Sequence, residues 1–355
     1  MWKNLRKNPL AVLGGLILII FYLVVITADF IAPYPPNTQQ PDGSLLPPTK
    51  IYLSDVKTNQ FIGPHVYPTT LSPTDINTGD RRLIVDFTQP DQIAFFVSGY
   101  EYKILGFIPG NLHLFGTKNQ KAFINILGTD EQARDEFSRL VHGGKISLTI
   151  GIVGIIITFP LGMLIGGISG YFGGWIDALI MRFVEVIMTI PDIYLLVALA
   201  SVLPPGLSST QKFLLIVLIT SLVRWASLAR VIRGQVLSLK ELEFVQAAKA
   251  MGANPLYIII THILPQTATY VIISATLAVP SFILVEAVLS YIGLGIQQPD
   301  PSWGNMLTLA SNVSILVFQP WLVLSPAILI VITVLAFNLL GDGLRDLLDP
   351  RSLNR

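Results

Sequence analysis

Glu243-Phe-Val-Gln-Ala-Ala-Lys-Ala-Met-Gly252-Ala-Asn-Pro-Leu-Tyr-Ile-Ile-Ile-Thr-His-Ile-Leu-Pro265 is a short polar stretch set between two apolar spans, and its reading decides the fold. The spacing predicts a helix, a glycine break and a second helix. Gly252 suits the break because left-handed backbone angles cost glycine little, while Asn254 and Pro255 suit the cap and first residue of the next helix. A helix-turn-helix of this kind, lying outside a bilayer, is a handle for another protein.

Outward from that stretch the chain is overwhelmingly apolar. Of its 355 residues, 52% are hydrophobic and 13% charged, with a mean hydropathy of +0.63; soluble domains carry about 25% charged residues. The composition is that of an integral membrane protein. With no cysteine, disulfides, thiol catalysis and cysteine-ligated metals are excluded. A net charge of +1 implies no nucleic-acid partner. His65, His113, His142 and His262 have no ligand-like spacing, so no metal site is expected.

Apolar length predicts six spans: Leu10 to Ala28, Ile146 to Ile168, Ile176 to Leu203, Phe213 to Val231, Thr267 to Ile292 and Trp321 to Leu340. Trp2, Lys3, Arg6 and Lys7 precede the first, which reads as an uncleaved anchor with a cytoplasmic N-terminus. Threading the spans alternately puts the loop 233–265 and the tail 346–355 inside, beside Arg230, Arg233, Lys240, Lys249, Arg345, Arg351 and Arg355. The expected architecture is therefore an all-α polytopic protein: an anchor helix (1–32), an extracytoplasmic insert (33–127), a five-helix core (128–345) and the tail. Proline-rich at its start, the insert then carries β-branched and aromatic runs such as Arg82 to Phe87 and Gln92 to Val97, which predict a small, mostly β subdomain.

The loop resembles the EAA loop of ABC importer permeases, which docks on the ATPase subunit. The matching positions are Ala247, Ala248, Gly252, Leu264 and Pro265, with Gln246 where the family usually has Glu. That resemblance assigns ATPase docking to Gln246, Ala247, Ala248, Gly252, Asn254, Pro255, Ile263, Leu264 and Pro265. A second block, Leu127 to Leu148, has Thr129 or Asp130 as candidate caps of a helix on which Phe137, Leu140 and Val141 follow at helical spacing, suiting an amphipathic surface helix. Gly128, Thr129, Asp130, Arg134, Asp135, Ser138 and Arg139 match the signature of the dipeptide and oligopeptide branch, in its C-type subunit; Ala133 replaces the usual glycine. Gly170 to Arg182 and Leu289 to Gly304 resemble further signatures of that branch.

Charges within or beside the spans are few: Asp177, Arg182, Glu185, Asp192 and Glu286. Arg182 and Glu185, three apart, are placed to neutralise each other. Glu286, after Pro280 and with no near partner in sequence, is the candidate for a pathway or gate position. Gly162, Gly166, Gly167 and Gly170 permit close helix approach. Gly143-Gly-Lys-Ile-Ser147 lacks the upstream glycine of a phosphate-binding loop, and no hydrolase motif occurs. The resemblance implies a peptide permease, half of a translocation pore, with a second homologous permease, two ATPases holding ATP and magnesium, and an external substrate-binding protein as partners. Carriage of nickel, glutathione or oligosaccharide within the same branch stays open. So do an ion-coupled carrier using Glu286 or Asp192, and a non-transporting sensor.

Overall fold

The computed structural model describes residues 8–74, 81–104, 106–204 and 206–348. Trp2, Lys3, Arg6 and Lys7 of the basic flank, and Arg351 and Arg355 of the tail, lie outside the described residues. Among the described residues five helices are long and apolar enough to cross a membrane, or six if one bent pair counts as a single span. Contacts divide the chain into two compact units: Met1–Leu18 with Leu148–Gly295 and Val331–Arg355, and Ile19–Ser147 with Ile296–Ile330.

In chain order the first helices are α1 (Pro9–Ile26), α2 (Ala28–Ile31), α3 (Glu136–Phe172), α4 (Gly174–Thr189), α5 (Asp192–Ser201) and α6 (Ser209–Leu239). The first unit is built around α3 and α6, and the glycine spacing explains why they can approach. A Cβ at Gly162 would meet Leu228, one at Gly166 would meet Ala229 and Ile232, and one at Gly170 would lie 2.8 Å from the Arg233 carbonyl. Gly167 faces Ile259 and Leu264. The span expected over Ile176 to Leu203 is instead two helices, α4 and α5, bent by 83°. Pro191 has no amide hydrogen and disfavours helical angles at the residue before it; Ile190 accordingly sits at φ −88°, ψ 126°.

Asp177, one of the few charges within or beside the spans, fastens three helices. Its carboxylate takes Arg233 Nε and Nη2 of α6, each at 2.5 Å, and the Ser169 hydroxyl of α3 at 2.5 Å. Arg182 and Glu185 form the expected pair at 3.2 Å, but with side chains 80% and 51% exposed. A charge pair so open holds the fold together little.

The second unit contains the β structure. Strands β1 (Tyr52–Ser54), β2 (Phe61–Val66), β5 (Asp91–Ile104) and β6 (Ile108–Thr117) form an antiparallel sheet in the order β1-β2-β5-β6, and β3 (Thr69–Leu71) pairs with β4 (Leu83–Val85). The two runs read as strands from sequence are thus β4 and the first half of β5. Val66, Ala122 and Ile124 form the buried centre, with Ile93 and Phe115 against them. Asp91, fully buried, accepts hydrogen bonds from the Asn119 and Lys121 amides and so fixes the turn after β6. At the end of α1, Asp29 binds His142 Nε2 at 3.1 Å and Lys145 Nζ at 2.6 Å. Burial works against its charge, but the hydrogen bonds from His142 and Lys145 prevail and hold its carboxyl well below the usual carboxylate range.

Candidate functional site

The polar stretch between the two apolar spans folds as α7 (Glu243–Ala250), a glycine turn, and α8 (Pro255–Tyr257). Gly252 has φ +80°. Its amide donates to the Lys249 carbonyl at 2.9 Å, and the Ala253 amide reaches back to Ala248 at 3.1 Å. That double bond pattern closes a helix end with a left-handed residue. Asn254 Oδ1 then accepts from the Leu256 amide at 2.9 Å, capping α8, and Pro255 takes the first helical position. The second helix does not stop at Leu264-Pro265. It passes through a π turn (Ile258–Ile263) and a 3₁₀ turn (Leu264–Thr267) directly into α9 (Ala268–Tyr291).

Packing seats this element firmly on one side and leaves the other bare. Val245 and Ala248 of α7 join Ile258, Ile259, Ile263 and Leu264 in one buried cluster with Phe159 and Tyr171 of α3 and Leu228, Ile232 and Val236 of α6. On the opposite side Leu242, Phe244, Met251, Leu256, Tyr257 and Ile260 are exposed, Met251 by 81%. Gln246, Ala247, Gly252, Asn254, Pro255 and Pro265 share this exposure. Sequence reasoning missed the apolar patch because it treated the loop as polar; alternation of Val245 and Ala248 with Phe244 and Met251 around the turn was the available signal. Gln246 Nε2 donates to the Lys240 carbonyl at 2.8 Å. At the position that departs from the EAA pattern, this neutral side chain therefore folds back on its own loop.

Glu286 is fully buried on α9 and accepts the Ser290 hydroxyl at 2.7 Å, a partner one turn on. It lies roughly 30 Å along the helix from Pro265.

In the second unit the signature residues form one buried polar lattice. Gly128, at φ +76°, is a close approach: a Cβ there would strike the Leu46 carbonyl. Thr129 accepts from the Leu46 amide at 2.7 Å and donates to the Gly43 carbonyl. Asp130 Oδ2 takes Arg134 Nε at 2.8 Å and Nη2 at 2.5 Å, with Arg139 Nε at 3.3 Å. Arg139 reaches on to the carbonyls of Pro36 (3.1 Å) and Pro299 (2.9 Å) and to Gln298 Oε1 (3.0 Å). Trp303 closes the group, its amide donating to Ser147 Oγ at 3.0 Å and its indole to the Leu140 carbonyl at 2.9 Å. Two signature blocks far apart in the chain are thus one structure. Asn305, which sequence reasoning did not single out, ties down the second block through the Ile296 carbonyl.

The helix of this block begins later than expected. Neither Thr129 nor Asp130 caps it; α3 starts at Glu136, and Asp135 is the cap, its Oδ2 accepting from the Ser138 amide at 2.7 Å. Nor is there a separate amphipathic helix at a surface. Glu136, Ser138, Arg139, Leu140, Val141 and His142 are buried in the first turns of a single 37-residue helix. Ala133, standing for the usual glycine, has φ +62°. Because such angles cost a residue with a Cβ roughly 1–2 kcal/mol, Ala133→Gly is expected to stabilise the protein by about 1 kcal/mol, read as a raised melting temperature in detergent.

Asp135 Oδ1 is buried without a hydrogen-bond partner among the described residues. Burial raises its pKa from the ordinary 3.8 to about 7, with the Asp130 charge adding to the effect and the Ser138 hydrogen bonds opposing it. The folded state then holds a proton that the unfolded chain releases. Its stabilising contribution is present below about pH 4 and is lost as the pH rises through about 7. Asp135→Asn, which keeps a cap and carries no charge, should flatten the decline in melting temperature across that window. An unchanged profile would contradict it.

Comparison with known proteins gives the family. The family model described as binding-protein-dependent transport system inner membrane component matches residues 160–354, which include α7, the Gly252 turn and α9. The chain belongs to that family. A second model, the N-terminal TM domain of oligopeptide transport permease C, matches residues 1–48 of this permease. A putative peptide permease protein of Brucella suis biovar 1 is 40% identical over 248 residues, covering 70% of this chain and 80% of its own. The oligopeptide transport system permease protein OppC of Haemophilus influenzae is 40% identical over 227 residues, covering 64% and 70%. For the dipeptide transport system permease protein DppC of Bacillus subtilis the figures are 41% over 224 residues, 63% and 68%. The permease is accordingly a multi-pass inner-membrane protein. Membership of this family leaves the ion-coupled carrier and the sensor without support.

Proposed function

We propose that this permease forms half of the translocation pore of an ATP-driven importer of peptides and that α7, the Gly252 turn and α8 dock on an ATPase subunit. In this reading six spans alternate with both termini in the cytoplasm, residues 33–127 stand outside the cytoplasm, and residues 128–345 form the core. The observation that carries it is the apolar patch around Met251 and Tyr257, exposed on a turn whose other side is locked into α3 and α6. Patches of that kind on an otherwise polar loop suit burial against a protein partner. Peptides as cargo are supported by the names of the relatives; nickel complexes, glutathione and oligosaccharides are the other cargoes to test.

A second homologous permease and an external substrate-binding protein complete the assembly, and ATP with magnesium belongs to the ATPases. Gln246, Ala247, Ala248, Asn254, Pro255, Ile263, Leu264 and Pro265 share the docking element: the exposed ones meet the partner, while Ala248, Ile263 and Leu264 seat it. Glu286, being fully buried against Ser290, suits a helix-packing position at the centre of the core better than an open gate. Purifying the tagged chain from its native membrane in mild detergent tests the assembly. An ATPase and a second permease are the expected companions by mass spectrometry. A chain that arrives alone, in detergent that preserves a known ABC complex, would overturn it.

A further inference from the structure

The β5–β6 hairpin runs well past the sheet it belongs to. β2 pairs with β5 at His65–Gln92 and Val66–Asp91, whereas β5 and β6 stay paired out to Ile104–Ile108. Its direction can be read against two landmarks. Along α3, the Tyr34 amide meets Ser138, and Asp29 meets His142 and Lys145, so the path from Tyr34 back to Asp29 runs down α3 toward the end of the apolar helix α1. The hairpin follows the same path. Near its base Phe115 lies 5.8 Å from the Phe137 ring. One rung on, His113 Nδ1 pairs with the Ala32 carbonyl at 3.0 Å, and beyond it the Tyr100 hydroxyl donates to the Asp29 carbonyl at 3.3 Å.

Between Phe137 and Lys145 the helix advances roughly 12 Å, and past Tyr100 the strand still has roughly 13 Å to run before Ile104. Even on a slanting course the tip comes to the level of Asp29 and Lys145 or below it, where the charged groups beside α1 give way to its uncharged span. Residues 104–110 read Ile-Leu-Gly-Phe-Ile-Pro-Gly, without a charged or hydrogen-bonding side chain. Phe107 is 69% exposed and Ile108 48%. Just behind them come Tyr100, Tyr102 and Lys103, the amphipathic residue types that settle at the edge of a bilayer.

We propose that the β5–β6 tip is a membrane anchor, with Phe107 and Ile108 seated in the interfacial layer of the leaflet where α1 ends. The anchor depends neither on the cargo nor on which side of the membrane that leaflet faces. A partner protein is the less suited occupant because the hairpin is aimed along α3 toward the lipid-facing end of α1 instead of away from it.

Since the chain has no cysteine, single sites can be labelled in the full-length protein. Phe107→Cys, carrying an environment-sensitive fluorophore, is reconstituted in vesicles of phosphatidylethanolamine and phosphatidylglycerol, with and without phosphatidylcholine spin-labelled near its head group. The expected result is blue-shifted emission, most of which is lost when the spin-labelled lipid is present. Lys121→Cys, beyond the base of the hairpin, should show neither effect. Ile108→Cys repeats the reading in case the first variant disturbs the turn. Emission at both tip positions that matches Lys121→Cys overturns the anchor, and so does a blue shift that appears only after a soluble binding protein is added.

Discussion

Gly252→Pro is expected to abolish uptake while leaving the amount of protein in the membrane unchanged. The residue sits at φ +80°, which proline, fixed near −65°, cannot adopt. Its amide hydrogen, now bonded to the Lys249 carbonyl, would be lost as well. The turn must therefore open, and with it the placement of Met251, Leu256 and Tyr257 that the proposed docking requires. Nothing near the turn bears on insertion, which follows the apolar spans on either side. Gly252→Ala makes a graded comparison. No atom of the described residues lies within 4 Å of the added Cβ, so the backbone angle alone is penalised, by roughly 1–2 kcal/mol, and partial uptake should survive. Peptide uptake normalised to membrane-inserted protein is the measurement. Full uptake by Gly252→Pro would remove the docking turn from the mechanism.

The second large effect is on stability. Arg139→Ala removes a buried guanidinium that serves Asp130, the Pro36 and Pro299 carbonyls and Gln298 together. Breaking a buried charge network from one side costs about 3–5 kcal/mol, because the partners stay buried without it. The segment from Ile296 to Asn305 loses two of the hydrogen bonds that fasten it, and proteolysis there should accelerate along with a fall in melting temperature. Arg139→Lys should rescue little, since one ammonium cannot reach acceptors held by a planar fork. Arg182→Ala is the matched control: its pair with Glu185 is exposed, and its loss should cost about 0.5 kcal/mol or less. Equal losses for the two arginines would refute the lattice as the source of stability.

Local chemistry was legible in the sequence wherever it was written in consecutive residues. The glycine turn, the Asn254 cap and Pro255 occupy the backbone positions that their side chains favour, and the β-branched runs of the insert became strands. Gly162, Gly166 and Gly170 foretold the close contact of α3, although not that α6 would be the partner. What stayed hidden was set by residues far apart. No spacing rule connects Arg139 to Gln298 or Pro299, so two signature blocks looked like separate motifs. The cap was misplaced for a related reason: Thr129 and Asp130 are good caps by type, but both are held by groups brought in by folding, Thr129 by Gly43 and Leu46 and Asp130 by two arginines. Pro191 gave a local signal that apolar length overrode, and the span around it was drawn straight.

From Pro255 to Tyr291 the backbone passes through α, π and 3₁₀ turns without a single loop residue. The wider π turn underwinds the helix and the tighter 3₁₀ turn overwinds it, so the two offset each other in phase. In mechanical terms the segment is a strut with no slack. A push on Leu256 or Tyr257 meets no flexible linker on the way to Glu286, only the missing amide hydrogen of Pro280, and arrives as a tilt or a thrust. Inserting two glycines after Thr267 would put compliance into that strut while leaving the exposed patch itself intact, separating the proposed grip of an ATPase from the delivery of its force.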